Sequence, residues 1–227
     1  HPRVRRQRQM CIRDRYKNVK SIIFSGAYIE NYDYLSEINF DNYLIICADS
    51  GYKHAENLKI VPDVILGDND SYLKKYPDNI KNLVFPPEKD FTDTHAAIDY
   101  AINNNAEEIL IIGGLGGRID HEFSHFCLMN YALDKGVKLK LINDTNEIWM
   151  ENKPFKLKKS KRKYVSFFPY AGAVLNFSIK GLKYETTNMR LVPNRVQASS
   201  NEFCDSDTAI VTFDSGLVIV MLCDDRY

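Results

Sequence analysis

Short apolar runs, each followed by a polar or glycine-rich cluster, set the rhythm of the first two thirds of this chain. Val19 to Phe24 is a β-branched and aromatic run ending at Ser25-Gly26, a strand followed by a turn. Tyr43 to Ala48 is continuously apolar, as expected of a strand buried on both faces. It ends at Asp49-Ser50-Gly51, and a short helical stretch follows. Val64 to Leu66, Leu83 to Phe85, Ile109 to Ile112 and Lys138 to Ile142 read as further strands. Between them, Thr92 to about Asn105 has helical spacing, with Ala96, Ala97, Tyr100 and Ala101 on one side. His121 to Lys135 reads as a second helix, closed by Gly136. Strand and helix alternate, which predicts a mainly parallel, Rossmann-like sheet with helices on both faces. Ligands of such sheets bind beyond the carboxyl ends of the strands.

The pattern changes near residue 146. No helical period follows. Instead there are short strands at Glu147–Met150, Tyr164–Phe168, Ala173–Ser178, Ala209–Phe213 and Gly216–Leu222, with turn signals at Gly172, Gly181, Pro193 and Asp214-Ser215-Gly216. This predicts a C-terminal all-β domain, a sandwich. The division expected is an α/β domain at 16–148 and a β-sandwich at 149–227. The basic run Lys156 to Lys163 reads as a solvated hairpin or linker.

Composition excludes more than it suggests. The 227 residues are 44% hydrophobic with a formal net charge of zero, so nothing global points to nucleic acid or a membrane. No apolar run approaches the roughly 20 residues of a membrane helix. Five scattered cysteines without a CxxC pair give no zinc or disulfide framework, and a reducing cytoplasm is the simplest compartment. Residues 1–15 hold six of the eleven arginines and no lysine. They lack the apolar core of a signal peptide, and the expectation is a non-native leader. Without them 24 basic and 29 acidic residues remain, so the charge turns negative.

Three clusters carry the candidate chemistry. Gly67-Asp68-Asn69-Asp70-Ser71 sets two carboxylates two residues apart after a strand, a spacing that aims both at one hard cation; Mg²⁺ prefers such oxygen ligands. A plain surface turn favours the same residue types. Glu88-Lys89-Asp90-Phe91-Thr92-Asp93 opens a helix. There Asp90 can act as N-cap with Asp93 completing a capping-box-like pair, or Lys89 can meet a phosphate while an aspartate faces the metal. Gly113-Gly114-Leu115-Gly116-Gly117-Arg118-Ile119-Asp120-His121 supplies bare backbone N–H groups before a helix, which suit anions, and an arginine fork for phosphate. It is neither a Walker A loop nor a dinucleotide fingerprint. His121, Glu122 and His125 match the zincin spacing HExxH and give a rival reading as a zinc hydrolase.

Taken together, these segments resemble the thiamine pyrophosphokinase family. The elements run in order: Ala48-Asp49-Ser50-Gly51, the cluster at 67–71, Lys89-Asp90-x-Thr92-Asp93, Gly-Gly-Arg118-x-Asp120-His121, Gly181-Leu182-Lys183-Tyr184 and Ser200-Asn201-Glu202-Phe203. The resemblance implies transfer of a pyrophosphoryl group from ATP to thiamine with release of AMP, by a homodimer with sites between subunits. It implies Mg²⁺ on Asp68 and Asp70, with Asp90 or Asp93 completing the set. It puts Asp49, Ser71, Lys89, Gly116, Gly117, Arg118 and His121 at the nucleotide and Ser200 and Asn201 near thiamine. Asp93 and Asp120 are the candidate bases. Ser50 stands where many members have a second glycine. With no tryptophan after Trp149, Phe203 is the candidate for stacking on thiamine. The other expectation on the same pocket is a non-catalytic nucleotide- or thiamine-binding protein.

Overall fold

A computed structural model describes residues 19–68, 76–86 and 90–226. Its first strands are β1 (Val19–Phe24), β2 (Leu44–Ala48), β3 (Val64–Gly67), β4 (Lys81–Val84), β5 (Ala106–Ile112) and β6 (Lys138–Ile142). They form a parallel sheet in the order β4-β3-β2-β1-β5-β6. Every residue of β2 is buried, which is why its sequence is an unbroken apolar run. The edge strand β4 is short and largely exposed and carries Lys81, features that discourage pairing with another edge.

Among the described residues this half also holds the α-helices α1 (Tyr52–Asn57), α2 (Asp93–Asn103) and α3 (Ile119–Asp134). Ala97, Ile98 and Ala101 of α2 and Leu128, Met129 and Ala132 of α3 share one core with Ile23, Ile46, Leu66, Ile109 and Leu141. The opposite face, with Ile22, Phe24, Ile45, Cys47 and Ile112, is covered by Tyr52 and Ala55 of α1 and by Leu35 and its irregular neighbours. The flanking of the sheet is thus coarser than alternation predicts: strands dominate, and one face is closed mostly by a six-residue helix and loops.

The switch from parallel to antiparallel comes at one turn. Asn143 Oδ1 accepts from the backbone N–H of Thr145 at 3.0 Å and of Asn146 at 2.6 Å, an Asx turn that reverses the chain into β7 (Asn146–Glu151). The same continuous sheet goes on through β13 (Ser215–Cys223) to β9 (Tyr164–Lys180), β12 (Thr208–Thr212) and β8 (Phe155–Lys158), while β10 (Thr186–Leu191) and β11 (Ala198–Glu202) also pair with β9. Alternation lets β7 and β13 serve two cores. Ile148, Met150 and Ile219 face the first, whereas Trp149, Val218, Val220 and Leu222 join Phe167, Phe177 and Val211 in the second.

Several expectations change here. The two strands expected at 164–168 and 173–178 are one strand, β9, which passes from β13 to β10 and β12 with positive φ at Ala171 and Asn176. The basic run begins as strand β8, with Leu157 buried between exposed lysines, so only residues 159–163 form the solvated connection expected of the whole run. β10 and β11 have no counterpart in the sequence reading. Among the described residues no helix is long and apolar enough to cross a membrane. The expected leader at 1–15 lies outside the described residues.

Candidate functional site

The carboxyl ends of β1, β2, β3 and β5 open on one cleft of about 600 Å³. Its lining includes Ser25 to Tyr28 after β1, Asp49 and Ser50 after β2, Asp68 after β3, Thr92 to Thr94 at the start of α2, and the glycine loop with Arg118, His121, Glu122 and His125. Parallel strands deliver their ends to one side, so residues far apart in sequence meet there.

Asp49 sits at φ +46°, a conformation non-glycine residues seldom adopt and that tends to mark functional sites. Its Oδ1 is buried with no hydrogen-bond partner among the described residues. The backbone of Gly67 lies close enough that a Cβ there would sit 3.1 Å from Asp49 Cα, a tight contact that a side chain could make only by shifting Asp49. Asp49 is therefore pressed against the end of β3, beside Asp68. An orphaned carboxylate oxygen in an acidic cleft fits a hard cation. Among the described residues no three His, Cys, Asp or Glu side chains converge closely enough to hold a metal by themselves. Asp70, Ser71 and Lys89, expected at the metal and nucleotide, lie outside the described residues.

At the start of α2 the cap is Thr92, whose Oγ1 accepts from His95 N at 3.2 Å. This corrects the capping-box expectation: Asp93 is the first helical residue and Asp90 is an exposed residue ahead of the cap, outside the cleft lining. Thr94 Oγ1 and Ser25 Oγ are 3.2 Å apart and tie this helix to the end of β1.

Two histidines fix the glycine loop at its strand end. A carbonyl can only accept, so His125 donates from Nδ1 to Gly114 O at 2.9 Å. His54 likewise donates from Nε2 to Ala27 O at 2.9 Å. Its Nδ1 then accepts from the Tyr32 hydroxyl at 2.9 Å, whose oxygen takes a hydrogen bond from Asn57 Nδ2 at 3.0 Å. Ala27 N in turn donates to Gly113 O at 2.9 Å. Burial pushes both histidines below their ordinary pKa and keeps the rings neutral. Gly113 has φ +73°, and a Cβ there would strike Ser25 O and approach the His54 ring, so no other residue fits. His54 escaped the sequence reading because a histidine on a six-residue helix carries no motif.

The other end of the loop is closed by carboxylates. Glu122 Oε1 accepts from Gly116 N at 2.8 Å and Gly117 N at 2.9 Å. Arg118 donates to both oxygens of Asp120, from Nε at 3.1 Å and Nη2 at 2.6 Å. That contact holds the Asp120 carboxyl below its usual range, and both side chains are exposed at the rim, Asp120 outside the cleft lining. The zincin arrangement does not form, because Glu122 caps the loop and His125 holds Gly114.

Ser200 and Asn201 lie in the all-β half and do not line this cleft. Ser200 is exposed at φ +54° with its N–H on Ser166 Oγ at 2.9 Å. Asn201 is buried, with its amide committed to the backbone. Oδ1 accepts from Tyr184 N at 2.9 Å and Glu202 N at 3.0 Å, and Nδ2 donates to Tyr184 O at 2.8 Å. Phe203 packs on the second core, whereas Tyr184 is exposed.

Comparison with known proteins covers most of the chain. Residues 35–141 match the family described as thiamin pyrophosphokinase, catalytic domain, and residues 154–218 that described as thiamin pyrophosphokinase, vitamin B1 binding domain. The thiamine pyrophosphokinase of Bacillus subtilis is 28% identical over 189 residues, covering 80% of this chain and 88% of its own length. Thiamin pyrophosphokinase 1 of Caenorhabditis elegans is 25% identical over 165 residues, 68% of each chain. The crystal structure of the Bacillus subtilis protein superposes with a TM-score of 0.82 at 24% identity, covering 92% of this chain and all of that one. The family protein from Enterococcus faecalis gives 0.79 at 26% identity, with the same coverage.

Proposed function

The chain belongs to the thiamin pyrophosphokinase family, and on that premise we propose that it transfers pyrophosphate from ATP to the hydroxyl of thiamine, giving thiamine diphosphate and AMP. The observation that carries this reading is the pair of matches in tandem, catalytic then B1-binding, with the first containing Asp49, Asp68, Asp93 and the glycine loop of one cleft.

Attack falls on the β-phosphorus, so AMP leaves. Positioning and charge neutralisation do most of the work in such transfers. Asp68 and Asp70 would hold Mg²⁺, with Asp49, Asp90 or Asp93 adding oxygen donors. The ion would neutralise the charge of the polyphosphate. Asp49 suits that role because its buried Oδ1 has no partner among the described residues. The loop N–H groups of Gly116 and Gly117 and the Arg118 fork bind phosphate oxygens, beside Ser71, Lys89 and His121. Of the two candidate bases, Asp93 lines the cleft and takes the hydroxyl proton, whereas Asp120 is held by Arg118 at the rim. The acidic cleft favours the cationic thiazolium. Ser200 serves the thiamine side, which it reaches across the interface of a homodimer, and Asn201 supports it there by holding the Tyr184 backbone.

The same reading takes residues 16–148 as a Rossmann-like nucleotide-binding domain and 149–227 as a β-sandwich that binds thiamine. It takes a reducing cytoplasm as the compartment, which suits the free thiols of Cys47, Cys127, Cys204 and Cys223. The test is incubation with thiamine, ATP and Mg²⁺. Equimolar thiamine diphosphate and AMP, abolished by EDTA, is the expected result. ADP with thiamine monophosphate would overturn the reaction type, and binding without product would leave a non-catalytic binding protein.

A further inference from the structure

The anion-binding end of the glycine loop already holds an anion, and it belongs to the protein. The N–H groups of Gly116 and Gly117 converge on one oxygen, Glu122 Oε1, at 2.8 and 2.9 Å. Two successive backbone N–H groups aimed at one point form a nest for anions. Here its occupant is a carboxylate from the first turn of α3. The strand end of the loop is fixed independently. Gly113 O accepts from Ala27 N, Gly114 O accepts from His125, and His54 holds Ala27. Residues 113 and 114 are buried while 116 and 117 are exposed. A Cβ added at Gly116 would meet nothing within 4 Å, so the space beside the nest is open to a larger group. The loop is anchored where it leaves β5, and its N–H end opens on solvent behind the Glu122 carboxylate.

We propose that Glu122 sets the affinity of this site for its anionic substrate: its carboxylate fills the nest as a stand-in, and a polyphosphate oxygen must displace it to reach the same two N–H groups. The inference rests on the ATP-dependent reading of the cleft. A resident competitor lowers apparent affinity by the fraction of molecules in which the nest is free. A polyphosphate displaces it by bringing more charge than a carboxylate and by engaging the nest and Arg118 at the same time. Arg118 is itself paired with Asp120, so both phosphate-binding groups of this segment exchange an internal carboxylate for the ligand. The released Glu122 carboxylate stays in the cleft lining with Asp49, Asp68 and Asp93 and adds to the negative charge that a bound cation balances.

The test is calorimetric binding of inorganic tripolyphosphate and of a non-hydrolysable ATP analogue to the full chain and to E122Q and E122A. E122Q is isosteric, and E122A removes the competitor outright. Both variants should bind tripolyphosphate about three- to tenfold more tightly than the parent, E122A by at least as much as E122Q. Removing any nearby negative charge also favours a polyanion. The gain should therefore persist at about 0.5 M salt, where the Debye length is only a few ångström. The amide resonances of Gly116 and Gly117 should move in E122A, and in the parent should move on titration with tripolyphosphate. Unchanged or weaker binding by both variants, or a gain abolished by salt, would overturn the proposal. If the parent forms thiamine diphosphate and the variants bind no tighter, Glu122 loses this role and the function stands. If tripolyphosphate competes as described but no thiamine diphosphate forms, the function falls and the nest remains a polyphosphate site.

Discussion

The two halves of this chain treat their polar side chains in opposite ways. In the parallel half, polar groups at strand ends are left facing a cleft, one carboxylate oxygen of Asp49 has no partner among the described residues, and the loop donors are held by carboxylates in exposed hydrogen bonds. In the all-β half, polar groups are committed to one another. Arg162 binds the carbonyls of Asn143 and Asp144 and the Asp224 carboxylate, and Asn201 grips both backbone groups of Tyr184. A satisfied network rigidifies, whereas an unsatisfied group is held in place by the rest of the fold for a ligand to complete. Chemistry is therefore expected from the first half and shape from the second.

The sharpest way to break this contrast is at the strand ends. Asp68→Asn and Asp70→Ala should each lower turnover by at least roughly 10²-fold, since they remove electrostatic stabilisation of the transferring group. Melting temperature should stay close to the parent, and near-normal turnover would remove either residue from the proposed metal site. Gly113→Ala should come next. The φ of +73° and the collision with Ser25 O make it destabilising by about 1–3 kcal/mol from backbone strain, before the clash is counted. Urea denaturation measures that loss, and unchanged stability would mean that the loop is not pinned as described.

Asn201→Ala probes the other half. It leaves the N–H and C=O of Tyr184 without their partner and should cost about 1–3 kcal/mol in denaturant unfolding. Full stability with a raised KM for thiamine would instead put this amide on the ligand. The smallest effect is in pH. Burial lowers the pKa of His54 and His125 from the ordinary 6.5, so below that pH the unfolded chain binds protons that the folded one does not. Stability should therefore fall as pH falls through this range. His54→Gln and His125→Gln should each flatten the melting-temperature profile there, and a parallel profile would show that the ring is not the source.

The legibility of the sequence follows the same division. β2 and the Ile109–Ile112 end of β5 are legible because strand segments buried on both faces must be apolar, and the acids and glycines after them follow from where such strands end. β10 and β11 are not, because Thr-Thr-Asn-Met-Arg-Leu and Ala-Ser-Ser-Asn-Glu are mostly polar and paired through irregular register, so they carry no period. β9 was split in two because Gly172 reads as a turn, while the bend is taken up by positive φ at Ala171 and Asn176. In the site, the types of residue at 49, 68, 93 and 113–118 were legible. The bracing by His54 through Ala27 was not, nor the seat of Glu122 on the loop, since each depends on contacts that exist only once the strands lie side by side.

The most direct measurement follows the phosphorus. ATP labelled at the β-phosphate should be incubated with thiamine, Mg²⁺ and the purified chain, and the products separated. The account predicts the label in thiamine diphosphate and unlabelled AMP, with the yield collapsing in Asp68→Asn. Label retained in ADP would contradict transfer of an intact pyrophosphoryl group.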